Sequence, residues 1–305
     1  MKNDIVVQIP CLNEESTIGK VVEEFKKKLP GVKIIVYDNN SNDNSINLAK
    51  KSGAEVVVVK NRGKGNVVRR MFEDDINAKY FIMIDADDTY DITNIDANLK
   101  IMKNENFDMM VAKRVHYDSS AYRKGHIFGN YLFSKFVNII FGNDITDIFS
   151  GFRIFSKRFI KTFPQNSSEF EIEAELTIHA LEQKNRVGEF ECIYKARPLG
   201  SLSKLNTYKD GLKILKLILI LIKDEKPLLF FSIFSFLFLF LSLFIGIPII
   251  HEFYLTGLVD RLPSAILSGL LMVISFLFFF GGLILDVIKK IRYENKRINF
   301  LLYKD

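Results

Sequence analysis

Short apolar runs alternate with helical periodicity from the first residues to Ala196. Ile5–Ile9, Val32–Tyr37, Glu55–Val59, Tyr80–Ile84, Asp108–Ala112 and Cys192–Ala196 read as strands. The segments between them read as helices. One starts near Ser16, a candidate N-cap, and runs to about Leu29. Asn42–Ser52 is a second, closed by Gly53. A third follows the loop Asn61–Gly65 and reaches about Asp75, and a fourth ends near Lys103. Phe128–Phe141 is an apolar helix and Glu169–Gln183 an amphipathic one, while Val115–Gly125 is a polar loop and Asp144–Arg153 has a mixed pattern. Strands alternating with helices predict an α/β fold with a doubly wound, mostly parallel sheet. Polar loops follow several strands and would gather at one sheet edge.

The pattern then changes. Leu228–Ile250 is 23 residues without a charge, and Ser264–Ile288 carries only Asp286. Each is long enough for roughly 30 Å of hydrocarbon, which predicts a transmembrane hairpin; a buried core hairpin is the alternative. The connector His251–Pro263 holds one Arg and no Lys, whereas Lys289, Lys290, Arg292, Lys296 and Arg297 follow the second span. The positive-inside rule puts that tail and the N-terminal domain in the cytoplasm. In Tyr208–Asp224, Lys209, Lys213, Lys216 and Lys223 share a helical face beside apolar residues. This reads as an interfacial helix, with a solvated linker helix as the alternative. The expected division is residues 1–206 as a cytoplasmic domain, 207–226 as the interfacial helix, 227–290 as the hairpin and 291–305 as a basic tail.

Composition sharpens this picture in three places. The net charge of +6 comes with basic residues mostly beside the apolar segments, so nucleic acid is a poor partner for it. Cys11 and Cys192 form no disulfide framework and read as small buried hydrophobes. His116, His126, His179 and His251 are scattered, with no zinc spacing, and Met1–Pro10 lacks the features of a signal peptide.

Candidate chemistry centres on Phe81–Asp91. The apolar run to Ile84 ends in Asp85, Asp87 and Asp88, at the strand's C-terminal end, where open α/β sheets bind ligands. Carboxylates so close need a cation or hydrogen-bond donors. Hard oxygen ligands suit Mg²⁺ or Mn²⁺, which bind one or two carboxylates together with substrate phosphates. A solvated acidic turn capping the next helix is the alternative.

Further motifs follow in order: Ile9–Glu15 (IPCLNEE), Asp38–Ser45 (DNNSNDNS), Asn61–Gly65 (NRGKG), Asp85–Tyr90 (DADDTY), Thr146–Arg153 (TDIFSGFR), Phe170–Glu173 (FEIE) and Arg197–Lys204 (RPLGSLSK). Together they resemble family 2 glycosyltransferases, of the subgroup similar to dolichyl-phosphate mannose and polyprenyl-phosphate glucose synthases. The two C-terminal spans match the bacterial polyprenyl-phosphate members. The resemblance implies a GT-A catalytic domain. Pro10, Asn13, Glu14 and Asp38 would line the pocket for the donor's base and ribose, and the glycines around Lys64 would let the backbone approach the nucleotide. Asp85 would contact the ribose and, with Asp87, supply the metal site. Asp147 would be a catalytic carboxylate that orients the acceptor phosphate or acts as base; an N-cap or an ion pair with Arg153 is its alternative. Arg114, Arg123, Arg153, Arg197, Ser203 and Lys204 would hold phosphates, with Arg153 also in the catalytic set. Glu171 and Glu173 would recognise the sugar or cap their helix. Asp91 stands where relatives often have proline.

The expectation is an inverting, metal-dependent hexosyltransferase at the cytoplasmic membrane, both termini inside, moving one sugar from a nucleotide sugar to polyprenyl phosphate. Asp88-Thr89-Tyr90 resembles the bacterial and archaeal branch and favours UDP-glucose over GDP-mannose. A homo-oligomer and a separate flippase are compatible partners. A processive polysaccharide synthase would carry Gln-x-x-Arg-Trp, and this chain has no Trp. A catalytically silent scaffold would have no reason to carry the acidic and glycine motifs.

Overall fold

A computed structural model of the protein describes residues 4–115, 124–142, 145–164, 172–196, 216 and 218–303. The chain forms two compact units, Met1–Gly211 with Lys296–Asp305, and Leu212–Asn295.

The first unit is built on a sheet that has seven strands among the described residues. They are β1 (Ile5–Cys11), β2 (Lys33–Asp38), β3 (Glu55–Val58), β4 (Tyr80–Met83), β5 (Met109–Val115), β6 (Arg153–Ser156) and β7 (Val187–Ile193), in the order β3-β2-β1-β4-β6-β5-β7. The helices are α1 (Ile18–Lys28), α2 (Ser45–Lys51), α3 (Lys64–Glu73), α4 (Ile95–Asn104), α5 (Lys124–Phe141), α6 (Lys157–Thr162) and α7 (Ile172–Glu182). Continuous apolar strands are buried on both faces because each face needs a helical cover. Val7 and Ile9 pack with Val22 and Phe25 of α1 and Met102 of α4, while Val6, on the other face, joins Met71 of α3, Phe159 of α6 and Leu176 of α7. The expected mostly parallel α/β sheet is the one observed.

Two differences matter for function. The mixed stretch Asp144–Arg153 leads into β6, which runs antiparallel to both β4 and β5. A four-residue strand opening on an arginine has no apolar signature, and its reversal carries the preceding loop to the carboxyl edge of the parallel strands. The last strand begins at Val187 rather than Cys192; Glu189 and Glu191 hide it, because β7 is the outermost strand of the sheet among the described residues and has β5 as its neighbouring strand. Of the expected loop Val115–Gly125, residues 116–123 lie outside the described residues.

In the second unit, α8 (Pro227–Thr256) is followed by α9, which starts at Leu262. Ser235 meets Ser275 at 3.1 Å, and Ser242 Oγ donates to the carbonyl of Ser268 at 2.9 Å, so the helices run antiparallel. Small hydroxyl residues at such contacts let apolar helices approach and satisfy each other's polar groups. Both helices are long and apolar enough to cross a membrane. Before α8, the buried carboxylate of Glu225 is held by Arg292 at 2.8 Å, with Lys289 and Tyr293 also against it. Where a tail was expected from residue 291, α9 stays helical to Leu302. Most of the expected interfacial helix lies outside the described residues; residues 218–225 are helical.

His179 of α7 gives a first test of the packing. Its ring lies edge-on to Phe159 and Phe163, and neither ring nitrogen has a hydrogen-bond partner. Burial, reinforced by the charge of Lys296, pushes its pKa down to about 3. An unfolded imidazole gains its proton near 6.5. The unfolded state therefore binds more protons between these values, and stability is complete above 6.5 and is lost as pH falls toward 3. His179→Phe should remove this loss, which is on the order of a few kcal/mol. Thermal unfolding of both proteins across pH 4–8 checks it: the variant's curve should be flatter on the acid side.

Candidate active site

Five loops among the described residues meet at the carboxyl edge of the parallel strands: those that follow β1, β2, β3 and β4, and the one that leads into β6. Asn13, Asn40 and Asp88 adopt positive φ of 52°, 62° and 56° there, in a region where Asn and Asp are the tolerated side-chain residues. The first two loops are latched together. Ser41 binds the Asp38 carboxylate through its amide at 2.9 Å and its hydroxyl at 2.5 Å, and that hydroxyl accepts from the Asn13 amide at 2.9 Å. Asn13 Oδ1 in turn accepts from the Asn42 amide at 2.8 Å. Asn39 secures the glycine loop, donating to the Asn61 carbonyl and accepting from the Gly63 amide. Gly63 has φ of 118°, a value L side chains rarely adopt, and it launches α3 with Lys64 as its first residue.

Lys64 joins elements far apart in the chain. Its ammonium lies 2.5 Å from Asp85 Oδ1 and 2.6 Å from Glu173 Oε1. Burial opposes the charge, but the two carboxylates outweigh it and hold the Lys64 pKa above the ordinary range. Asp85 rests against bare backbone: a Cβ on Gly151 would collide with the Asp85 carboxylate. The Gly151 amide donates to the Tyr90 hydroxyl at 2.9 Å. Two residues on from Asp85, Asp87 is buried and Oδ1 accepts from the Thr89 hydroxyl at 2.6 Å. Asp88 is also buried; Lys20 holds Oδ2, and Oδ1 has no hydrogen-bond partner.

Beside this cluster, Arg114 grips Asp147 with two parallel bonds, Nε to Oδ2 at 2.6 Å and Nη2 to Oδ1 at 2.7 Å. The Arg114 amide and Asn130 Nδ2 add two more contacts to the same carboxylate, at 3.2 and 3.1 Å. Burial raises the Asp147 pKa, but Arg114 outweighs it and the carboxyl sits below its usual range. The Arg114 guanidinium also lies over the Tyr194 ring, 5.4 Å from its centroid.

This layout, a doubly wound sheet with an acidic turn after its fourth strand, coincides with a match to the family model for glycosyl transferase family 2 over residues 6–163. The chain belongs to glycosyl transferase family 2. The resemblance seen in the motifs is thereby confirmed, and the protein is a glycosyltransferase. The glycosyltransferase AglJ of Haloferax volcanii is 27% identical over 300 residues, covering 97% of this chain and 98% of its own. The dolichyl-phosphate hexose transferase of the same organism is 22% identical and covers 73% of this chain and 96% of its own. An uncharacterized protein of Shigella flexneri is 47% identical over 156 residues, 51% of this chain and 96% of its own. Among solved structures, glucosyl-3-phosphoglycerate synthase of Mycobacterium tuberculosis superposes with a TM-score of 0.57 at 20% identity, over 70% of this chain and 80% of that one. That likeness shows the GT-A-like fold.

Within this family 2 enzyme, the fold gathers Pro10, Asn13, Glu14, Asp38, Lys64, Asp85, Asp87, Arg114, Asp147 and Glu173 at one edge of the sheet. Arg153 is the exception. Its side chain is wholly buried, donating to the carbonyls of Ile148, Ser150 and Glu173 and to Thr177 Oγ1. Burial pushes its pKa down to about 10, against the pull of Glu173 and Asp147. Arg153, expected in the catalytic and phosphate-binding sets, spends these donors on three carbonyls and the Thr177 hydroxyl, and so braces the Ile148–Ser150 loop. The alternative partner expected for Asp147 also changes from Arg153 to Arg114. Arg123, Glu171, Arg197, Ser203 and Lys204 lie outside the described residues. Asp91, the departure from the family pattern, accepts from the Thr93 amide and hydroxyl at 2.9 and 2.6 Å, so it caps a turn.

Sequence reasoning assigned no role to Tyr90, Asn39, Asn130 or Gly151. Tyr90 and Gly151 both stand inside quoted motifs, and their hydrogen bond ties those motifs together beside the β4–β6 pairing. The donor set bears on a metal. No group of three His, Cys, Asp or Glu side chains able to hold one occurs among the described residues. Asp87, the unpartnered oxygen of Asp88 and the second oxygen of Asp85 are hard donors at one turn. Such a set fits a Mg²⁺ or Mn²⁺ ion completed by phosphate oxygens rather than an all-protein cage.

Proposed function

We propose that this glycosyltransferase moves one hexose from a nucleotide sugar, UDP-glucose before GDP-mannose, to a polyprenyl phosphate at the cytoplasmic membrane face, with inversion. The observation that carries this reading is the acidic turn Asp85–Asp88 at the carboxyl edge, in a chain that also contains two helices long and apolar enough to cross a bilayer. The relatives support it: one is a dolichyl-phosphate hexose transferase, and a structural neighbour crystallised with Mn²⁺ and UDP.

In this reading, Asp38 and the Asn13–Glu14 turn bind the base and ribose through carboxylate and amide acceptors. Lys64, released from part of its grip on Asp85 and Glu173, faces the diphosphate, and Glu173 then turns to the sugar. Asp85 and Asp87 would hold the divalent ion, which when bound would help neutralise the diphosphate charge. A phosphate acceptor is already nucleophilic and needs placing more than deprotonation. Arg114 provides that placing, and Asp147 aims Arg114. The bonds Asp147 accepts from Arg114 and Asn130 already occupy about four lone pairs, the capacity of a carboxylate, so an orienting role suits it better than that of a base. Arg123, Arg197, Ser203 and Lys204 complete the phosphate contacts. Residues 1–206 form the catalytic domain, 207–226 an interfacial helix, 227–290 the membrane hairpin and 291–305 a basic extension, with both termini cytoplasmic. A homo-oligomer and a separate flippase fit two helices, too few to carry the product across.

The test is incubation of membranes containing the protein with a panel of labelled nucleotide sugars and polyprenyl phosphate. One lipid-extractable, singly glycosylated product is expected, with UDP-glucose giving the strongest label. Label appearing only in polymer, or none with any donor, would overturn the proposal.

A further inference from the structure

The opposite edge of the same sheet holds a cavity of about 410 Å³. The topology puts it there. Asp108 immediately precedes β5, Arg186 precedes β7, and Arg158 follows β6, whose reversed direction sends its C-terminal end to the amino edge of the parallel strands. Asn106, Lys184, Arg297, Phe300 and Leu301 complete the wall. All these residues belong to the first compact unit.

The charge there is unbalanced. Asp108 is the carboxylate of the wall, and it is occupied by Arg158 Nη2 at 2.6 Å and by the Arg186 amide at 3.0 Å. Lys184, Arg186 and Arg297 have no ion pair among the described residues. Arg186 and Arg297 donate to carbonyls, of Glu105 at 3.5 Å and Gln183 at 2.8 Å, which supply no neutralising charge. The buried Phe300 ring has the Arg158 guanidinium 4.2 Å from its centroid and that of Arg297 5.3 Å away. One ring thus holds two cations that repel each other. Arg158 Nε is itself buried without an acceptor. A pocket with about three uncompensated cations, two of them planar forks, complements an anion with several oxygens.

We propose that this pocket binds a phosphate-bearing anion, either a free diphosphate or a phosphorylated headgroup, at the edge of the sheet away from the sugar-donor loops. Binding of inorganic pyrophosphate to the full-length protein in detergent, by calorimetry without divalent metal, tests it. Wild type should bind. Lys184→Gln with Arg186→Gln should weaken binding about tenfold or more, through loss of two charge-assisted contacts, and leave sugar transfer unchanged. Arg297→Gln should weaken it independently, and Asp87→Ala should leave it intact. No binding in wild type, or binding lost with Asp87→Ala yet kept in the Lys184/Arg186 variant, overturns the proposal. Nanodiscs identify the source. If phosphatidylglycerol discs compete with pyrophosphate and phosphatidylcholine discs do not, the site takes a headgroup; equal binding in both identifies the free anion.

Discussion

Asp87→Ala is expected to lower sugar transfer by about a thousandfold, the scale set by removing a preorganised electrostatic contact to a leaving group. The carboxylate is buried and cannot be replaced by bulk water at no cost. Its Oδ1 is fixed by the Thr89 hydroxyl at 2.6 Å, so the group is preorganised rather than recruited. Alanine also deprives Thr89 of that acceptor, which costs about 1 kcal/mol of stability. Asp87→Asn separates the two effects, since the amide oxygen can still accept from Thr89 while the charge is gone. Both variants should lose transfer, and both should shift the Mn²⁺ titration of nucleotide-sugar binding to higher metal. Wild-type turnover and an unmoved titration in the folded asparagine variant would remove Asp87 from the site.

The second large effect lies at Arg114. Arg114→Met leaves the buried Asp147 charge without its main partner, a change that costs about 3–5 kcal/mol in comparable buried pairs. Arg114→Met with Asp147→Leu should recover much of that loss, and the difference measures their coupling. The pH dependence has a definite sign. In the wild type, Asp147 is held below its usual range, so the pair's contribution is complete above the unfolded value near 3.8 and is lost as pH falls through the lower folded value. Without Arg114 the burial effect dominates and the carboxyl rises. The variant should then gain relative stability on acidification, and the gap to wild type should be widest near neutrality and narrow below about pH 4. Thermal unfolding across that range checks it. A gap independent of pH would mean that the pair is not what stabilises the loop. Transfer should fall in the single variant, and the stability-restored double variant should stay inactive if Arg114 contacts the acceptor.

These two residues show where sequence stopped being sufficient. Asp87 was legible because its signal is local: an apolar strand, then acids within four positions. The same holds for the glycine loop and for the two apolar helices, where length and composition alone meet the membrane's dimensions. Arg114 and Asp147 are separated by 33 positions, and Lys64 reaches Asp85 across 21. Nothing in a linear pattern says which of several arginines such an acid will choose.

Arg153 makes the same point in reverse. In the sequence it closes a Ser-Gly-Phe-Arg motif and looks like a phosphate ligand; in the fold it is buried, with carbonyls and a hydroxyl around it. The chain by itself determined the parallel sheet, its acidic edge and its apolar helices, since propensity and burial pattern act over neighbouring residues. Only the tertiary structure decided that β6 turns back between β4 and β5, and hence which loop faces the acids and which cations gather at the far edge. A charge can be buried only where distant partners meet it, and that meeting is a property of topology.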